Sequence, residues 1–431
     1  RDGRTEVIGT DESWQVTEDG PVRMADFYDG ETYDATISLD KAAWRSAVQE
    51  RLRVKPKLMA DYGADVKEHE TFAPVSCKQL GNALIYDFGQ NFAGVVRLTV
   101  TGKRGQKITI RHSEVLNPDG TLNTAFLRTA KATATYICKE GRQTWSPRLT
   151  YMGFRYISVE GVREEDVQVT GVMLYSDIQQ TGSFRCSNEM LNRLQENIVR
   201  SAKSNFMDIP TDCPQRDERM GWTGDAQAFC PTANYNMDCG AFYTKYIRDL
   251  LEEQKRLDGK VPDVAPLLIS RKPGEANPML ANGGGHCGWA DAAAIVPWET
   301  YIATGDISVL KNGFESMKLW ADWIYRYDEA HGATRLWPGI EFHFADWLAL
   351  DGPESGFNPE SVLGGTDITF LCSAYYYKST MCVANAARAL GKTTEYDVYK
   401  KRADEILDAI RREFYTAGGR CAAATQTGNA I

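Results

Sequence analysis

The chain has 431 residues, 43% hydrophobic and 25% charged, the balance of a globular protein too long for one ordinary core, so two or three domains are expected. A net charge of −9 argues against nucleic acid as a partner, which calls for a basic surface. No apolar run is long enough to span a bilayer. The ten cysteines form no Cys-x-x-Cys pair and do not cluster with the five histidines, so neither a metal site nor a dense disulfide framework is expected. Isolated cysteines in apolar surroundings suit a reducing compartment, and a cytoplasmic location is the expectation.

In chain order, residues 1–57 are strand and turn, too short to stand alone. They read as the tail of an N-terminal β domain, with Val54-Lys-Pro-Lys57 as its linker. The chain opens on Arg1 without a signal peptide and stops at Ile431 inside a structured pattern. It therefore reads as a fragment cut at both ends. Residues 58–182 read as an antiparallel β-sandwich domain. Leu84-Ile-Tyr-Asp-Phe88, Gly94–Val100, Thr133–Cys138 and Phe154–Val159 are short strand-like runs, and Lys107–His112 alternates at period two. Asn117-Pro-Asp-Gly120 marks a turn, because Asp-Gly reaches positive φ cheaply.

From residue 183 to 431 the apolar period becomes 3.6. Met190, Leu191, Leu194, Ile198 and Ala202 form one helical stripe, with Ser187 or Asn188 as cap. Phe242, Tyr246, Leu250, Leu251 and Leu257 form a second. Leu310, Phe314, Met317, Trp320, Ile324 and Tyr327 form a third, capped by Asp306. Residues 225–237, 289–304, 366–390 and 394–415 also read as helices, the first of them holding Pro231. Helices alternating with loops rich in Trp, Asp and Gly suggest an α/α toroid. The chain supplies too few helices for six complete pairs, so an incomplete (α/α)6 barrel is expected. Its unpaired apolar faces would be exposed unless a neighbour, such as a second copy in a homodimer, covers them.

One window concentrates acid/base chemistry: Asp208-Ile-Pro-Thr-Asp-Cys-Pro-Gln-Arg-Asp-Glu-Arg-Met-Gly-Trp-Thr-Gly-Asp225. A charge run is commonly a solvated face. Here two prolines and two glycines rule out a plain helix and favour a rigid loop opening into one. Glycoside hydrolysis needs one carboxylic acid to protonate the leaving oxygen and one carboxylate to act at the anomeric centre. Glu218 is the candidate acid. Such an acid must hold its proton through burial or neighbouring carboxylates. Asp212, Asp217 and Asp225 favour that. Arg216 and Arg219 oppose it unless they point to other acids. Asp212 and Asp225 serve equally well as loop and cap residues or as acceptors for vicinal sugar hydroxyls.

Trp222, Trp289 and Trp347 each sit beside Asp and, in two cases, Gly. A lone Trp is usually core, but an indole face also matches the CH-rich face of a sugar. Three such pairings suggest a saccharide pocket. Trp320 and Trp323 ride a helical stripe and read as core. His286 and His343 are candidate sugar hydrogen-bonders. Gly283-Gly-Gly285 is no phosphate loop, since no Gly-Lys-Ser/Thr follows. No Gly-x-Ser-x-Gly elbow is present.

The run Asp212–Asp225 resembles the signature of bacterial α-L-rhamnosidases of glycoside hydrolase family 78. Tyr86-Asp-Phe-Gly-Gln-Asn-Phe-Ala-Gly94, Glu114–Gly120, Pro147–Tyr156 and Gly288-Trp-Ala-Asp-Ala292 extend the resemblance from Trp14 onward. It implies β-sandwich domains followed by an (α/α)6 catalytic barrel, and hydrolysis of terminal α-L-rhamnosyl groups with inversion. It implies Glu218 as general acid and Asp212 and Asp225 as holders of rhamnose hydroxyls. Trp222, Trp289 and Trp347 become an apolar wall around the sugar and its methyl group. No cofactor and no metal are implied, and the partner is a rhamnosylated glycoside or oligosaccharide. The family's general base is a late glutamate, expected beyond Ile431, with Glu341 and Asp346 as the nearest in-chain substitutes. The rival readings are an exo-glycosidase of the same fold with another sugar, and a non-catalytic carbohydrate binder.

Overall fold

A computed structural model describes residues 3–50, 58–60, 63–267, 283–349 and 364–431. The expected linker Val54–Lys57 lies outside the described residues. The chain divides into two compact units. The first holds Arg1–Asp61, Lys67–Tyr175 and Cys213–Glu218; the second holds Tyr62–Val66, Ser176–Asp212 and Arg219–Ile431.

The first unit is built on β-strands. Before residue 75 lie β1 (Gln15–Val16), β2 (Val22–Asp26), β3 (Gly30–Asp34), β4 (Arg45–Ser46) and β5 (Val66–Phe72). After it come β6 (Ser76–Leu80), β7 (Ala83–Gly102), β8 (Lys107–Ser113), β9 (Thr133–Ile137), β10 (Gly141–Trp145), β11 (Met152–Glu160) and β12 (Val167–Ser176). Ten of these make a single sheet in the order β2-β3-β9-β8-β11-β7-β12-β5, with β6 and β10 both on β7. The sequence led us to expect two stacked antiparallel sheets, and the strands instead share one curled sheet. The reason is β7, 20 residues long. Its first half pairs with β6 and β11, and its second half with β10 and β12. One pair, β3 with β9, runs parallel, which joins the N-terminal strands to the same sheet.

Strand β8 shows the half-buried pattern that its sequence alternation predicts: Ile108, Ile110 and His112 are buried and Lys107 and Arg111 are not. The core centres on Phe92, fully buried, whose ring meets Phe72, Phe88 and Phe154 at centroid distances of 4.7, 5.9 and 4.5 Å.

The second unit is helical: α1 (Glu189–Asn205), α2 (Thr223–Asn236), α3 (Gly240–Arg256), α4 (Ala292–Thr304), α5 (Ile307–Ala330), α6 (Ile368–Ala389), α7 (Thr393–Phe414) and a short α8 (Gln426–Ala430). The Asn188 side chain caps α1 by accepting from the N–H groups of Met190 and Leu191, and Asp306 caps α5 through Ser308. α4 packs on α2, α3, α5 and α6; α3 packs on α5, and α6 on α5 and α7. Phe242, Tyr246, Leu250, Leu310, Met317, Trp320 and Ile324 are buried in this core, as their helical spacing predicts. Trp323 stacks on Trp320 at 5.3 Å. The stripe on α1 behaves differently. Ala202 is buried, but Met190, Leu191 and Leu194 are 81, 46 and 53% exposed.

Replacing Phe92 by Ala removes a ring that three other rings enclose. The expected cost is about 3–5 kcal/mol, read as a lower unfolding midpoint of the full chain by denaturant titration, with near-ultraviolet ellipticity lost from the aromatic core.

Candidate active site

The loop between Asp212 and Asp225 is closed at its ends within the helical unit. Asp212 donates its N–H to the Met220 carbonyl at 3.1 Å, and its Oδ1 accepts the Met220 N–H at 2.9 Å. Beyond this closure the chain runs against residues 263–265. Thr223 N–H donates to the Asp263 carbonyl at 2.8 Å, Ala265 N–H to the Gly221 carbonyl at 2.9 Å, and Trp222 bridges Val264. The Tyr246 hydroxyl also donates to the Gly221 carbonyl, at 2.9 Å. A Cβ on Gly221 would lie 2.3 Å from the Ala265 carbonyl oxygen, so only glycine permits this approach. Helix α2 starts at Thr223 with Trp222 in the N-cap position. Asp225 is therefore not the cap; it lies exposed in the first turn. Asp212 and Asp225 both line a cavity of about 320 Å³, with Ser201, Asn205, Phe229 and Tyr243 among its other walls.

The three indoles converge on a residue that the sequence did not single out. Trp289 stacks on Phe344 at 4.2 Å with 25° between planes. Trp222 and Trp347 meet the same ring edge-on at 6.1 and 5.3 Å. Trp222 is buried, while Trp289 and Trp347 are partly exposed. The indoles do not line the cavity that holds Asp212 and Asp225. Met220 links the two groups: its N–H binds Asp212, and its side chain packs against the Trp222–Phe344 cluster.

The histidines next to this cluster are buried. His286 Nδ1 lies 2.8 Å from both carboxylate oxygens of Asp263, and His343 Nδ1 accepts the Cys287 N–H at 3.0 Å. Asp291, two residues after Trp289, is fully buried. It accepts from Gly288 N–H at 2.8 Å, Trp320 Nε1–H at 2.9 Å and the Ser379 hydroxyl at 2.6 Å. Burial pushes its carboxyl above the ordinary range, and these three donors pull it back. Such a saturated carboxylate orients the turn under Trp289. Asp346 is buried and accepts the Thr366 N–H at 3.3 Å; Glu341 is exposed.

Glu218 belongs with the β unit. Its Oε2 accepts from Arg128 Nη1 at 2.9 Å and from Arg216 Nε at 2.7 Å. Its side chain is 16% exposed. Arg216 thus faces Glu218, the arrangement that the sequence reading sets against a proton-holding acid. The Tyr28 hydroxyl donates to the Glu218 carbonyl at 2.8 Å. Thr129 donates to Asp217 Oδ2 through its N–H at 3.2 Å and also through its hydroxyl. Neither Tyr28 nor Arg128 carries a sequence signal for this role, because each lies far from the loop along the chain.

Three family models account for nearly the whole chain. The bacterial α-L-rhamnosidase 6 hairpin glycosidase domain matches residues 179–431. The bacterial α-L-rhamnosidase concanavalin-like domain matches residues 78–175, and the α-L-rhamnosidase N-terminal domain residues 1–75. The chain belongs to the bacterial α-L-rhamnosidase family. An α-L-rhamnosidase of Formosa agariphila is 36% identical over 99% of this chain and 45% of its own length. One of Streptomyces avermitilis is 35% identical over 96% of this chain and 38% of its own length. The chain thus spans less than half of these curated relatives. Among solved structures, the Streptomyces avermitilis α-L-rhamnosidase complexed with L-rhamnose matches with a TM-score of 0.80 and 34% identity, covering 93% of this chain and 37% of that one. The Aspergillus terreus enzyme matches with a TM-score of 0.83 and 32% identity, covering 98% and 48%.

In this member of the family, Phe344 is the ring on which the three indoles rest. Phe344→Ala is expected to cost about 3 kcal/mol or more and to shift tryptophan emission to the red. Unchanged emission and an unchanged unfolding midpoint would show that the indoles hold their places without it.

Proposed function

We propose that the whole protein is an α-L-rhamnosidase that hydrolyses terminal, non-reducing α-L-rhamnosyl groups with inversion. Its relatives carry that name, and one of them was solved with L-rhamnose. The observation that carries the site reading is the convergence of Trp222, Trp289 and Trp347 on Phe344. A sugar with a methyl group at C6 needs more apolar wall than a fully hydroxylated one, and clustered indoles supply it.

In this reading Glu218 protonates the glycosidic oxygen as the C1–O bond breaks, and the bond's electron pair stays with the leaving oxygen. A water attacks C1 from the opposite face and yields its proton to a second carboxylate. In an inverting pair the two carboxyl groups stand about 6.5–9.5 Å apart. Asp212 and Asp225 accept hydrogen bonds from the sugar hydroxyls; their shared cavity supports that assignment. The helical unit is read as part of an (α/α)6 barrel, in keeping with the six-hairpin family model and the pairwise packing of α4 with α5 and α6 with α7.

The test is hydrolysis of aryl α-L-rhamnosides by the full-length protein, with NMR of the first-formed anomer. Inverted product is expected. Glu218→Gln should lower kcat by about 10²–10⁴-fold with binding retained. Hydrolysis of glucosides in preference to rhamnosides would overturn the substrate assignment, and wild-type protein that binds rhamnosides without turnover would mark a carbohydrate binder. Asp225→Asn should raise KM for the same substrates about tenfold, the worth of one charge-assisted hydrogen bond; an unchanged KM would remove Asp225 from the sugar site.

A further inference from the structure

We propose that His286 is a sugar-contacting residue of the indole cluster: its Nε2 accepts a hydrogen bond from a ring hydroxyl of the bound rhamnosyl group. This rests on the reading of Trp222, Trp289 and Trp347 as the apolar wall of the sugar site.

Indoles alone do not orient a sugar. An apolar pocket fixes its ligand through a few placed polar groups, and Asp212 and Asp225 line a cavity that the indoles do not share. His286 is a polar ring set against the same aromatic cluster. It meets Phe344, the ring on which the three indoles rest, edge-on at 5.2 Å, and Phe342 at 5.5 Å. Phe342 is 44% exposed and His286 itself 6%, so the imidazole borders the accessible side of the cluster.

One of its nitrogens is committed. Nδ1 lies 2.8 Å from both carboxylate oxygens of Asp263. An ionised carboxylate only accepts, so Nδ1 carries a proton, and the neutral ring keeps a lone pair on Nε2. Among the described residues no hydrogen bond reaches that nitrogen. A lone pair so placed calls for a donor, and a hydroxyl is the donor that a sugar brings. His343 offers no such atom: its Nδ1 accepts the Cys287 N–H at 3.0 Å and its Nε2 is enclosed.

The imidazole is also placed rigidly with respect to the wall. Asp263 is 1% exposed, and its carbonyl accepts the Thr223 N–H at 2.8 Å. The residue before Thr223 is Trp222. The backbone pairing that sets one indole therefore sets the carboxylate that holds His286.

Removing hydroxyls from the substrate tests the contact. The full-length protein is assayed with an aryl α-L-rhamnoside and with the three analogues that each lack the hydroxyl at C2, C3 or C4. His286→Asn keeps an amide near the Nδ1 position, facing Asp263, and has no atom at the Nε2 position. It should lower kcat/KM for the parent rhamnoside about tenfold, the worth of one hydrogen bond. For one deoxy analogue the variant-to-wild-type ratio should stay within about twofold of unity, because the partner hydroxyl is already gone. A disturbance of the fold would lower all four ratios alike. Equal losses on all four substrates, or no loss on any, would overturn the contact. The Asp263→Leu/His286→Phe double variant removes both partners without stranding a buried charge and gives the same comparison if the Asn variant folds poorly. If the wild-type protein neither binds nor hydrolyses the parent rhamnoside, the substrate reading has failed and the role of His286 falls with it.

Discussion

The candidate residues of the helical unit depend on one short antiparallel contact, Gly221–Thr223 against Asp263–Ala265. Its hydrogen bonds end the polar loop and begin a helix within three residues. Because strand side chains alternate, a slip of one residue would turn Trp222 away from Val264 and Phe344. It would also move the start of α2, and Asp225 with it. Gly221 is the condition for this register, since any side chain there would strike the Ala265 carbonyl. The Tyr246 hydroxyl, on α3, fixes the same glycine from the helical core. The position of the aromatic wall is thus inherited from backbone pairing rather than from the indoles themselves.

Around that contact, carboxylates of similar chemistry are sorted by their neighbours. Asp263 and Asp291 are fully buried, the first facing His286 and the second holding three donors. A buried carboxylate in such a setting cannot exchange partners cheaply, so it holds structure. Asp212 spends one oxygen on the Met220 N–H, and Asp225 lies in an exposed first helical turn, where the helix dipole favours negative charge. Glu218 Oε2 is met by two guanidiniums, those of Arg128 and Arg216.

Much of this was legible in the sequence, for reasons that also mark where reading stopped. Period-two alternation exposed β8, because a sheet with one buried face imprints its pleat on the sequence. Stripes exposed α3 and α5, and Asn188 and Asp306 announced their helices as caps. The Trp/Asp pairings singled out three indoles that do converge. The α1 stripe carried the same signal as the others, yet its first half faces outward: periodicity reports an apolar face, not what covers it. The single curled sheet was hidden because nothing in the run Ala83–Gly102 shows that one strand will serve two sets of neighbours. Phe344, Tyr28 and Arg128 were silent for a related reason. Their partners lie far away in sequence, and an isolated Phe, Tyr or Arg has no spacing to read.

The loop segment Cys213–Glu218 shows why such distant partners are needed. Its residues are polar and charged, with little apolar surface to bury, so it cannot offset its own ordering entropy. The role proposed for Glu218, meeting a leaving oxygen within a few tenths of an ångström, does not suit a loose segment. The β unit resolves this by gripping the segment at successive points: Gly153 against Pro214, Thr129 on Asp217, Tyr28 on the Glu218 backbone and Arg128 on its side chain. Each contact alone is weak, and two involve exposed groups. Together they constrain the backbone of Glu218, the side chain that precedes it and one of its carboxyl oxygens.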